Sequence, residues 1–271
     1  MAPAPSPLPL LPAQRKLPVS SILKHAVAFD SQSDAFPQTR HSVILAAQSN
    51  DPRERKWAVE AIASAYWRPV YKYLRVRWKV DPEDARDVTQ EFFARLLEKN
   101  FLDSYEPGKG LLRTFLRTCV DRLFLNHSRD AHRLKRGGEM VHVTLDFNEA
   151  EHELAVAHSE SPNDLFEREW VRTLFTLAVE RLRTQCAATG KAIHFELFER
   201  YDLAESVARS YADLAGEFDL PITDVTNYLA YARREFRRAV LEQLREMTGS
   251  EDEFRREAQS VLGIKPGVAA K

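Results

Sequence analysis

Only two of the 271 residues are cysteine, nine are glycine and three are methionine. Cys119 and Cys186 stand far apart, each inside an apolar-periodic segment. They read as separate buried thiols, so neither a disulfide framework nor a metal site is indicated and a reducing compartment is expected. Scarce glycine suits helices better than turn-rich sheet. No run approaches the ~18 apolar residues of a membrane span. Net charge is nearly absent as well: 39 Lys and Arg against 40 Asp and Glu leave −1. Such a chain is no general nucleic-acid coat, and any contact with a polyanion must come from a local patch. The start, MAPAPSPLPLLPAQRK, lacks a basic n-region and its apolar run is broken by prolines. It makes a poor secretion signal, and a cytoplasmic protein is expected. Enzyme motifs are missing too. Gly190-Lys191 is followed by Ala192 without the glycine spacing of a phosphate-binding loop, and His152-Glu153 has its next histidine at His158, out of step for a zinc-protease helix. No enzyme, metal or cofactor is expected.

What is present is a concentrated basic segment. From Lys109 to Arg136 eight Lys and Arg face two acids, Asp121 and Asp130. On a helix turning ~100° per residue, Leu112, Leu116, Cys119, Leu123 and Leu134 share one side. Arg122, Arg129, Arg133 and Arg136 group beside it. Such a helix can dock on a core and still present cations.

Around it the chain divides by composition. Residues 1–38 are a proline-rich head expected to form no regular core, with Leu17 to Phe29 able to form at most a short helix. Residues 39–138 carry continuous helix signals. Asp51-Pro52 and Asp81-Pro82 each place an N-cap before a proline at the first helical position. Trp57, Ile62, Tyr66, Val70, Tyr73 and Leu74 form the expected buried side of one helix. Ala85, Val88, Phe92 and Leu96 form that of the next, leaving Asp84, Asp87, Gln90 and Glu91 on polar sides. Residues 139–164 hold seven acids and no Lys or Arg, and read as a solvated acidic linker. Residues 165–248 return to helical periodicity, from Leu165 through Leu182 and again at Ile193, Phe195 and Phe198 after a Thr189-Gly190 break. They end in a helix-turn-helix pattern. Ser210 with Asp213 forms a capping box, Asp219 stands at the turn where glycine is common, and Thr223 is expected to cap a long second helix. Residues 249–271 read as a polar helical tail that frays after Gly263. The expected fold is all-α: two small helical domains joined by the acidic linker.

Taken together these segments resemble a bacterial sigma factor of the sigma-70 family, extracytoplasmic-function type, from about Thr39 to Glu246. DARDVTQEFFARLL is similar to the region 2 helix of that family. SYEPGKGLLRTFLRTCVDRLFLNHSRD is similar to the segment that opens and reads the −10 element, and SYADLAGEFDLPITDVTNYLAYARREFRR to the −35-reading helix-turn-helix. Phe115 stands where the family usually has Trp, and Arg122 where it often has Asn. A KRGG ending on the first domain adds to the marks of a divergent subgroup.

The resemblance implies function and roles. Asp87, Gln90 and Glu91 would dock on the β′ clamp helices of core RNA polymerase, with further contacts to the β subunit. Tyr105, Arg113, Arg117, Arg122, Asn126, Arg129, Arg133 and Arg136 would engage the −10 region. There arginines neutralise phosphates, and the loop around Tyr105 helps to capture unstacked bases. Thr223, Thr226, Asn227, Tyr228, Tyr231 and Arg234 would serve the −35 element, the first turns of a recognition helix being where base edges are read. Arg233, Arg237 and Arg238 fall to phosphate or polymerase. The acidic linker, with Glu149, Glu151, Glu153 and Glu160, would lie in the RNA channel. The partners implied are core polymerase and promoter DNA, with an anti-sigma factor allowed for and no membrane. Two other readings of the same residues are a helix-turn-helix regulator acting without core polymerase and a helical adaptor.

Overall fold

A computed structural model of the protein describes residues 43–98, 101–130, 145–154, 160–204 and 209–263. The expectations placed on the proline-rich head, on Leu134, Arg133, Arg136 and the KRGG stretch, and on the side chain of Arg129 lie outside the described residues. Among the described residues there are ten α-helices and no strand. They are α1 (Val43–Ala47), α2 (Pro52–Arg77), α3 (Pro82–Leu96), α4 (Leu112–Asp130), α5 (Phe147–Leu154), α6 (Pro162–Ala188), α7 (Ala192–Tyr201), α8 (Tyr211–Phe218), α9 (Ile222–Glu246) and α10 (Glu251–Leu262), with a 3-10 turn at Leu102–Ser104. The fold is all-α.

Local sequence sets the helix starts. Asp51, Asp81 and Ser161 each stand extended before a proline, and each side chain accepts a backbone N–H of the first turn: Arg53 at 2.8 Å, Asp84 at 2.9 Å and Asp164 at 3.1 Å. Ser210 and Asp213 close a reciprocal capping box. Asp219 is left-handed, with φ 51° and ψ 49°. The start of α9 corrects the sequence reading. Pro221, not Thr223, is the N-cap, because its extended backbone presents its carbonyl to the Asp224 and Val225 N–H groups. Thr223 therefore falls inside the first turn.

α2 is the central wall. Its aromatic side packs on α6: Tyr66 stacks against Phe166 and Trp170 with ring centres 6.5 and 6.4 Å apart, and Tyr73 meets Phe166 edge-on at 5.8 Å. Ile62, Tyr66, Val70, Tyr73 and Leu74 are buried as expected, but Trp57 is 50% exposed. The buried positions of that turn are Ala58 and Val59, about 100° and 200° further round the helix, and they take the core side in its place. The buried side chains of the first and second halves join in one contiguous core.

Two further corrections concern the segments read as polar. Within the acidic linker, residues 147–154 form α5, which lies on α2. Phe147 packs against Trp67 and Tyr71 at 5.4 and 5.0 Å, and the glutamates meet a basic row, Arg68, Lys72 and Arg75, at helical spacing. These glutamates are neutralised by cations that lie 76 to 81 residues earlier in the chain, on α2. The tail is likewise a docked helix: Phe254, Ala258, Val261 and Leu262 of α10 are buried, and Gly263 ends it with φ 64°. No helix among the described residues is long and apolar enough to cross a membrane.

Candidate nucleic-acid interface

The polar side of α3 follows from its packing. Ala85, Val88, Phe92 and Leu96 are buried, so Asp84, Asp87 and Gln90 turn outward. Glu91 is half-buried and engaged: it accepts from Arg95 at 2.6 Å and approaches His127 Nδ1 at 3.0 Å. α3 and the far end of α4 are thereby drawn together. The expected polymerase-facing trio shares one helix, with Asp87 and Gln90 open to solvent.

α4 buries Leu112, Leu116, Val120 and Leu123, and Cys119 is half-buried; burial pushes the Cys119 thiol up. Arg122 and Asn126 are exposed, as a strand-facing role requires. The start of the helix is different. Arg113 is only 8% exposed, ion-paired to Glu167 of α6 and Glu257 of α10, and lies 4.6 Å over the Trp170 ring. Arg117 reaches Glu167 at 3.3 Å and lies over Phe166. Tyr105 is buried and donates to Glu253 of α10 at 2.6 Å; burial, then that carboxylate, pushes the phenol far above its ordinary range. In this form neither Arg113 nor Tyr105 meets solvent as the sequence reading required. The physical reason is that α6 and α10 close over the beginning of α4. Asp121, one of the two acids of the basic segment, accepts from Trp78 Nε1 at 3.0 Å and from the Tyr73 hydroxyl at 3.1 Å, fixing α4 to the end of α2.

In the helix-turn-helix, Leu214, Val225 and Leu229 form the shared core. Thr223, Thr226, Asn227 and Arg234 are exposed. Tyr228 and Tyr231 turn instead toward α7. His194 stacks on Tyr228 at 4.1 Å and meets Tyr231 edge-on at 5.1 Å, while Lys191 Nζ lies 3.9 Å over the Tyr231 ring. Burial and then Lys191 hold the His194 imidazole below its usual value. Arg233 is also turned inward, gripping both Asp202 oxygens at 3.0 Å and accepting no solvent-facing role, with the Tyr211 hydroxyl 3.1 Å from its Nη1. Arg238 is exposed, yet it also pairs with Glu235 and reaches Glu242 at 3.9 Å.

Among the described residues, the largest charged cluster joins α2, α5 and α6 and stands apart from every residue that the sequence singled out as a DNA or clamp-helix contact. Lys72, 1% exposed, sits between Glu153 of α5 at 2.5 Å and Glu169 of α6 at 2.6 Å. Arg172 reaches Glu153 at 2.7 Å, and Arg68 at 3.6 Å. Burial pushes the Glu153 carboxyl up, but hydrogen bonding to Lys72 and the neighbouring cations bring it below the usual carboxylate range. Glu151 is held low mainly by Arg75, while burial and its hydrogen bond to Glu151 push Tyr71 up to about 12. Three of the glutamates expected to line an RNA channel thus hold the free chain together. The available signal was the Arg68, Lys72, Arg75 spacing inside an aromatic helix.

No curated protein and no solved structure matches this chain. A family model does: Sigma-70 region 2, over residues 62–134. That interval begins within the central wall, at Ile62 of α2, and takes in α3, the Tyr105 loop and α4. It covers the exposed α3 row and the basic helix together, and it stops short of α5 to α10. Residues 62–134, about a quarter of the chain, are thus similar to sigma-70 region 2.

Proposed function

We propose that this protein is a sigma factor of the extracytoplasmic-function type that binds core RNA polymerase and directs promoter recognition, melting and initiation. The observation that carries the reading is the coincidence, inside the region 2 match, of an exposed acidic and amide row on α3 with a basic helix beside it. Asp87 and Gln90 face the polymerase, and Glu91 aligns that row with α4 through His127. Arg122 and Asn126 meet the −10 strand. Thr223, Thr226, Asn227 and Arg234 on α9 meet the −35 duplex. No covalent chemistry is involved. Phosphate contacts set the register, and base contacts set the sequence.

Run-off transcription with purified bacterial core polymerase on fragments of the source genome tests this directly. Transcripts that depend on the protein and start at discrete sites are expected. Asp87→Arg should weaken binding to core by about tenfold or more while leaving thermal unfolding unchanged, because the side chain is exposed. Absence of core binding, together with tight duplex binding by the protein alone, would transfer the assignment to a regulator that acts without polymerase.

A further inference from the structure

We propose that α10 is an intramolecular competitor of nucleic acid, a removable carboxylate-bearing cover on the start of α4. The proposal rests on the sigma-factor reading for the identity of the surface covered. Glu253 is buried and collects three donors: the Tyr105 hydroxyl at 2.6 Å, the Leu112 N–H at 2.9 Å and the Gly249 N–H at 2.8 Å. One turn on, Glu257, also buried, holds the Arg113 guanidinium. A hydroxyl, N–H groups including one at a helix start, and an arginine are the donor set that takes a phosphate of a nucleic-acid strand. Here two carboxylates of the same chain occupy it.

Three observations separate a cover from a simple core helix. The donors Tyr105, Leu112 and Arg113 lie inside the region 2 match, whereas α10 lies far beyond it. Beside the buried apolar side chains Phe254, Ala258, Val261 and Leu262, the contacts of Glu253 and Glu257 with α4 and the Tyr105 loop are ionic and hydrogen-bonded, so a polyanion can compete for the same donors. The outward side of α10, Glu251, Asp252, Arg255, Arg256, Gln259 and Ser260, is exposed, so the helix is buried on one side alone. A short helix at the end of the described chain, covered on one side only, can open locally without global unfolding. Its hinge is equally specific. Gly249 approaches Pro107 so closely that a Cβ there would overlap the proline ring, which sets the α9–α10 turn directly on the loop that carries Tyr105. Seating α10 therefore buries Tyr105 and the Glu257-facing side of Arg113 together, and lifting it uncovers both, with Arg113 still held from its other side by Glu167 of α6.

The test is amide exchange across residues 251–262 in the full chain, with and without a single-stranded DNA 20-mer, combined with anisotropy measurements of binding. The 20-mer should strip protection from α10 while α6 stays protected. Glu257→Gln should raise affinity for it on the order of tenfold, by shifting the population toward the open form. Arg255→Gln, on the outward side of the same helix, should leave affinity unchanged. A chain ending at Thr248 should bind at least as tightly as Glu257→Gln, with far-UV circular dichroism and α6 protection checking that the remaining helices are intact. Full protection of α10 at saturating oligonucleotide would overturn the proposal, as would a lack of binding by every variant, the shortened chain included. Failure of core binding and run-off transcription, with oligonucleotide-driven release of α10 intact, would sink the sigma-factor reading and leave the cover standing.

Discussion

Replacing Lys72 with methionine probes how α2, α5 and α6 are joined. The methionine keeps most of the buried stem and removes only the ammonium. Two buried carboxylates then lose their shared cation, and breaking a buried ion pair from one side costs ~3–5 kcal/mol. The neighbours soften that loss. Glu153 keeps Arg172 at 2.7 Å and Arg68 at 3.6 Å, and Glu169 keeps Arg168 at 3.3 Å and Arg172 at 4.0 Å. The expected cost is therefore at the low end, about 3 kcal/mol, roughly a hundredfold or more in the unfolding equilibrium. Urea denaturation followed by far-UV circular dichroism measures it, and an unchanged m-value keeps the comparison valid. Adding Glu169→Gln to Lys72→Met should recover about 1 kcal/mol, because one uncompensated charge disappears with its partner. A loss below about 1 kcal/mol, or strict additivity in the double variant, would refute the view that this cluster joins the two halves.

Two other perturbations address separate features. Asp219→Gly should stabilise by up to about 1 kcal/mol, because φ 51° is a conformation glycine adopts without strain, whereas Asp219→Val should destabilise; thermal melts of the pair give the sign. Stability should also fall in acid. Glu151 and Glu153 are held below their ordinary value of 4.5, so the unfolded chain binds their protons first. Their contribution is complete above about pH 4.5 and is lost as pH drops toward the folded values. A melting temperature level from pH 7 to 5 and falling below that is expected, and Glu153→Gln should flatten the fall.

Periodicity carried most of the fold. The stripe of α3, the caps at Asp51, Asp81 and Ser210, the left-handed Asp219 and the Thr189-Gly190 break are all local, and local sequence specifies them. What escaped is tertiary pairing of charge. Seven acids between Glu139 and Asp164 have the composition of a solvated linker, and only the distant Arg68, Lys72 and Arg75 show otherwise. Glu253 and Glu257 likewise look like surface residues of an amphipathic helix until Leu112, Tyr105 and Arg113 are brought beneath them. At the candidate interface, helical phase alone predicts that Asp87, Gln90 and Arg122 face outward, as they do, whereas Asn126 is singled out only through the family resemblance. The inward turn of Tyr228, Tyr231 and Arg233 was not legible, since α7 claims that side of α9. Arg113 was lost for a related reason: a basic residue on an amphipathic helix points to solvent only if no other element covers it.

The pairing of Tyr66 with Trp170, roughly a hundred residues apart in the chain, has a consequence for synthesis. A growing polypeptide that has delivered α1 to α4 to the solvent still lacks the partner for the aromatic side of its longest early helix. Until residues 147–154 emerge, Trp67 and Tyr71 lack Phe147 and Lys72 lacks Glu153; until residues 162–188 emerge, Tyr66 and Tyr73 lack Phe166 and Trp170, and Lys72 lacks Glu169. The nascent first half is an adhesive intermediate whose exposure lasts for the time taken to translate α5 and α6. At an elongation rate of ~5–20 residues per second, that window lasts seconds.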